Sequence, residues 1–167
     1  MSQDYKNLSL TPEQQQRFNQ IDTNKSGSIE AIEVSKMYNF EFPETSAAQL
    51  LRAITNKSSL TAKDFPVFDA WMMRFYKVFG EFSNGSPYVQ NVVPAIQRTK
   101  LIVGDQLVTH LVKKFGGNAQ GITFGQFLSI CSYILLCGKI MQNFDTQQKG
   151  CLNIDYNGLI SLGLWFI

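Results

Sequence analysis

Residues 22–33 read Asp-Thr-Asn-Lys-Ser-Gly-Ser-Ile-Glu-Ala-Ile-Glu, a dodecapeptide that sets oxygen atoms at alternate positions around one glycine and closes on a carboxylate. Asp22 opens the series, and Asn24 and Ser26 follow two residues apart. Gly27 allows a sharp turn, Ser28 offers its backbone carbonyl, Glu30 stands where a ligand reaches an ion through water, and Glu33 ends the series as a bidentate carboxylate. Calcium is a hard cation that takes about 6–8 oxygens in a flexible shell, and this spacing delivers them. Magnesium would compete for the same oxygens, although it demands a stricter octahedron.

The flanks predict helices on both sides. Phe18 and Ile21 precede the loop at the spacing of an inward face, and Val34, Met37 and Tyr38 follow with helical periodicity. Thr11 and Pro12 open the first helix as N-cap and first helical residue, with Gln14 at the reciprocal capping position. The whole segment is the helix–loop–helix of an EF-hand, in which Ile29 is expected to pair with the matching apolar residue of a neighbouring loop.

The pattern recurs in worn form. Loops begin at residues 22, 55, 83, 116 and 145, spaced by 33, 28, 33 and 29. A near-constant period of this size marks an array of supersecondary units. Each copy has a helix, a polar loop, one apolar residue (Ile29, Leu60, Tyr88, Ile122, Leu152) and a second helix. The later copies lose their ligands. The second and third loops are short and begin with Thr55 and Ser83, and the third has Val92 at its close. The fourth begins at Gly116 and closes on Gln126. The fifth keeps Asp145 and Gly150 but sets Lys149 at a ligand position and Tyr156 at the closing one. A lysine ammonium repels a divalent cation, and a tyrosine cannot chelate as a carboxylate does. One calcium per chain is expected, in the first hand, held by Asp22, Asn24, Ser26, Ser28, Glu30 and Glu33.

Composition narrows the remaining classes. With 167 residues, 44% apolar content and 13 phenylalanines, the chain can bury a real core. A net charge of +2 without a dense basic run gives nucleic-acid binding no footing. Cys131, Cys137 and Cys151 form neither a disulfide framework nor a zinc pattern. Met1–Leu10 is a short polar tail without the look of a signal peptide. The longest apolar stretch, Phe127–Met141, falls short of the roughly 20 residues of a bilayer span and reads as a buried helix. The single histidine, His110, has no nucleophile or carboxylate motif beside it, and Gly116, Gly117 and Gly121 lack the Gly-Lys-Ser/Thr of a phosphate loop. No motif points to an enzyme.

Five hands at this spacing, ending in Asp145-Thr146…Gly150…Tyr156 and a short apolar tail, resemble the penta-EF-hand family over about Leu8–Ile167. The resemblance implies one all-α domain spanning 1–167, of about eight helices. Hand one would pair with two and three with four, and the fifth would pair with the fifth of a second chain. It also implies a cytoplasmic calcium-binding regulator or adaptor. Such a protein forms a homodimer, or a heterodimer with another penta-EF-hand chain, and binds target-protein peptides. It associates with membranes in a calcium-dependent way and has no catalytic activity. Two departures stand out. The long Gly/Pro-rich opening segment common in the family is missing before the first helix, which weakens membrane recruitment. The third hand, commonly a calcium site, has no closing carboxylate. The competing reading is a structural or heterodimer subunit without a calcium switch.

Overall fold

The computed structural model describes residues 10–166; Met1–Ser9 of the polar tail and Ile167 of the apolar end lie outside the described residues. Leu10, placed in the tail by the sequence reading, packs on the core. Helix α1 (Pro12–Ile21) starts where expected. Gln14 N–H donates to Thr11 Oγ1 and Thr11 N–H to Gln14 Oε1, both at 3.2 Å, and each bond satisfies a donor the helix start would otherwise leave bare.

The first loop leads through β1 (Ser28–Glu30) into α2 (Ala31–Met37). The second hand follows as α3 (Glu44–Thr55), β2 (Ser59–Thr61) and α4 (Phe65–Ser83). Asn56 stops α3 at φ 63° and Asn84 stops α4 at φ 49°, left-handed caps that asparagine tolerates better than most residues. Strands β1 and β2 pair antiparallel, with Ile29 opposite Leu60 and both fully buried. The apolar residue of loop one therefore meets its expected partner.

The second half holds α5 (Val92–Arg98), α6 (Asp105–Lys114), α7 (Phe124–Phe144), α8 (Tyr156–Gly163) and a 3-10 turn (Leu164–Phe166). Hands three and four join through a single antiparallel bridge: Val89 N–H donates to Ile122 O at 2.9 Å, and Ile122 N–H to Val89 O at 3.0 Å. The central residue of the third loop is thus Val89, not Tyr88. Val89 is wholly buried while Tyr88 is only partly covered, so burial and pairing select the valine. Counted from Val89, Val93 rather than Val92 holds the closing position.

Helix α7 is long and apolar enough to cross a membrane by length and composition, yet Phe127, Leu128, Ile130 and Cys131 are buried. It packs along α3 and against α4, as the buried-helix reading expects. Gly125 lets the start of α7 lie against the segment between α2 and α3, because a Cβ there would fall 2.1 Å from Glu41 O. Burial also pushes the Cys131 thiol well above its ordinary pKa. The last helix differs from the rest: α8 has no buried residue, and Leu159 and Ile160 face solvent.

Candidate metal centre

Loop one folds on its own backbone. Asp22 Oδ1 accepts from Ser26 N–H and Asp22 Oδ2 from Gly27 N–H, each at 2.9 Å. Asn24 Oδ1 accepts from the same Ser26 N–H at 2.9 Å, which draws the Asp22 and Asn24 oxygens together. Ser26 Oγ lies 2.9 Å from the Ser28 carbonyl. Lys25 at φ 56° and Gly27 at φ 81° make the turn that brings these groups inward.

Glu33 closes the loop from the first turn of α2. Its Oε1 accepts from Thr23 N–H at 2.9 Å, Thr23 Oγ1 at 3.1 Å and Asn24 N–H at 3.3 Å, and its Oε2 accepts from Glu30 N–H at 3.1 Å. Asp22 and Glu33 are 6% and 3% exposed, and among the described residues neither joins an ion pair. A buried carboxylate without a positive partner is expensive, and a cation within the loop would offset that cost for both.

Of the six residues read from the sequence, the fold brings Asp22, Asn24, Ser26, Ser28 and Glu33 to one loop interior. Glu30 stays exposed in β1 and enters through its backbone N–H. Among the described residues no three His, Cys, Asp or Glu side chains converge; the donor set is two carboxylates completed by neutral oxygens. That all-oxygen set fits a hard divalent cation. Ligand spacing alone does not single out Thr23, whose hydroxyl and N–H both hold Glu33.

Hands two and five depart from this arrangement to different degrees. In hand two, Thr55 Oγ1 lies 2.9, 3.1 and 3.2 Å from the carbonyls of Leu51, Lys57 and Ser59, and its one proton serves one of them at a time. In hand five, Asp145 Oδ1 accepts from Lys149 N–H at 2.9 Å and Oδ2 from Gly150 N–H at 2.6 Å, repeating the Asp22 arrangement. Its closing residue, Tyr156, is 77% exposed.

A groove of about 280 Å³ opens beside hand one, between α1, the end of α2 and α4. Ile21, Met37, Tyr38, Phe68, Met72 and Met73 line it. Ile21 immediately precedes Asp22, and Met37 ends the helix that carries Glu33, so both helices flanking the loop form its walls. Burial in this wall raises the Tyr38 phenol above its ordinary pKa.

Five helix–loop–helix units, with two pairs made inside the chain and the fifth left over, define the penta-EF-hand fold. A solved structure described as a homolog of programmed cell death 6 protein from Leishmania major Friedlin shares that fold, with a TM-score of 0.60 and 16% identity over 100% of both chains. No family model and no curated protein matches the chain.

Proposed function

We propose that the chain is a divergent penta-EF-hand protein forming one domain over residues 1–167, a cytoplasmic calcium-binding adaptor whose first hand is its calcium site. Asp22, Asn24, Ser26, the Ser28 carbonyl and Glu33 would hold the ion, with Glu30 contributing through water. Bound calcium would supply the positive charge that the two buried carboxylates lack. The observation that carries this reading is the continuity of loop one with the apolar groove: Ile21 and Met37 belong to the helices entering and leaving the loop and also line the groove. A shift of α2 at Glu33 would change the shape of a methionine-rich surface, and such surfaces adapt to apolar peptide side chains.

The exposed apolar face of α8 supports a second element of the proposal, a partner chain of the same fold seated on the fifth hand. That chain is either a second copy or a different penta-EF-hand protein. Membrane association in the calcium-loaded state would use the same apolar surfaces. The alternative is a structural or heterodimer subunit without a calcium switch, favoured by the Thr55 hydrogen bonds that already hold loop two.

Calorimetric titration with calcium, repeated with magnesium, tests the site. One calcium per chain is expected, with a dissociation constant on the order of micromolar or weaker. Apolar-dye binding should rise on loading. A titration without heat, or dye binding indifferent to calcium, favours the structural-subunit reading.

A further inference from the structure

We propose that the fourth hand is held by its own side chain, the Gln126 amide supplying from within the protein the cross-loop link that a closing carboxylate makes through a cation. This goes beyond the calcium reading of hand one and does not depend on it. With Ile122 as the eighth position, loop four begins at Phe115, one residue before the Gly116 expected from the sequence, and closes on Gln126, and no residue in it carries a carboxylate. Gln126 Oε1 accepts from Thr123 N–H at 2.9 Å, and Gln126 Nε2 donates to Gly116 O at 2.9 Å. Glu33 reaches in the same two directions, to Glu30 N–H and to Thr23 N–H. Thr23 and Gly116 are each the second residue of their loops.

The contacts coincide in place and are opposite in polarity. A carboxylate can only accept, so Glu33 meets backbone N–H groups and leaves the loop interior negative. An amide also donates, so Gln126 satisfies a loop carbonyl directly and brings no charge. Gly116, at φ +85°, lets the amide come close, since a Cβ there would lie 3.0 Å from Gln126 Nε2. The loop so held positions Ile122 against Val89, and Gly121 permits that bridge: a Cβ on it would fall 2.2 Å from Val89 O. Hands three and four therefore keep their shape whatever the divalent-cation level, and any response to calcium is confined to the first half of the chain.

Amide hydrogen exchange on the full chain tests this in the presence of calcium and of a chelator. In the native protein, calcium should raise protection at Val89 and Ile122 by no more than it raises the stability of the whole chain, measured in parallel by urea unfolding. In Gln126→Ala and Gln126→Glu, exchange at these two amides should rise about 2- to 10-fold, the equivalent of one lost hydrogen bond. Ile29 and Leu60 should be unaffected. Calcium should not restore Gln126→Glu, because Phe115, Gly117, Ala119 and Gly121 offer no side-chain oxygens. Unchanged exchange at Val89 and Ile122 in both variants overturns the proposal. So does native protection there that rises with calcium by more than the stability of the whole chain does, and this comparison decides the matter even where a variant fails to fold. A chain that binds no calcium in hand one would still show the Gln126 effect, so the two proposals fail separately.

Discussion

Arg17 grips Asp69 at two points, Nε to Oδ1 at 2.8 Å and Nη2 to Oδ2 at 2.6 Å, and so ties α1 to α4 beside the apolar groove. Gln14 Nε2 adds a third contact to Asp69 Oδ2 at 3.3 Å. The hydrogen bond to Asp69 is the main reason the Arg17 pKa lies above its ordinary value. The two partners are unequally covered: the Arg17 side chain is 41% exposed and that of Asp69 11%. Removing one partner should therefore cost different amounts. Asp69→Asn leaves an arginine that water can solvate, at about 1 kcal/mol. Arg17→Met leaves a covered carboxylate with only Gln14, at about 2–3 kcal/mol. Urea unfolding of both variants measures the asymmetry, and equal losses would show that the pair acts as an ordinary surface contact.

Under the proposed reading, Glu33 should govern the calcium response. At ~100 times the dissociation constant, calcium should stabilise the native chain by about 2.7 kcal/mol, or roughly 5–10 °C in melting temperature. In Glu33→Ala that shift should vanish. Differential scanning calorimetry with and without calcium reads it directly; a shift that survives places the ion elsewhere.

Hand five should be convertible. Its Gln148 at φ 54° and Gly150 at φ 73° reproduce the turn made by Lys25 and Gly27, and Asp145 is held as Asp22 is. What it lacks is a closing carboxylate and a neutral or acidic residue at position 149. The native chain should titrate with one calcium, and Lys149→Asp combined with Tyr156→Glu should raise the count to two. A double variant that still binds one ion would mean that backbone shape does not suffice.

The apolar face of α8 should direct self-association. Leu159 and Ile160 are about half exposed, and burying such a side chain is worth about 1.5–3 kcal/mol. The native protein should sediment as a dimer at tens of micromolar, and Leu159→Asp with Ile160→Asp should yield soluble monomer. A monomeric native chain at that concentration would reserve this face for a different partner.

Gly125 should tolerate no side chain. The 2.1 Å approach that an added Cβ would make to Glu41 O must be relieved by moving backbone, and overpacking of this kind costs about 1–3 kcal/mol. Gly125→Ala should lower the urea midpoint accordingly, whereas Gly138→Ala, with nothing within 4 Å of the added Cβ, should not.

Much of this structure is legible along the chain because its causes are local. Thr11, Pro12 and Gln14 write the start of α1 within four residues. Asp22 through Glu33 write a loop whose oxygens are ordered by backbone groups of the same dozen residues. The period of the repeats places five units, and the alternation around Ile29 and Leu60 names the pair that joins the first two.

Most of the rest waits on groups far apart in sequence. Tyr88 and Val89 are both apolar neighbours in a shortened loop, and only Ile122, more than thirty residues on, selects the valine by pairing with its backbone. Arg17 and Asp69 are unremarkable until α1 and α4 pack and exclude water from the carboxylate. Gln126 reads as a lost ligand, because the spacing that identifies a closing position cannot say what its amide will meet. The turn of its own loop puts the Gly116 carbonyl, ten residues back, within reach, and that turns a missing carboxylate into a neutral link. Short-range geometry is set by covalent spacing and backbone hydrogen bonds, which residue order contains. Burial, polarity matching and close approach depend on which distant surfaces come together, and for this chain tertiary packing alone decided them.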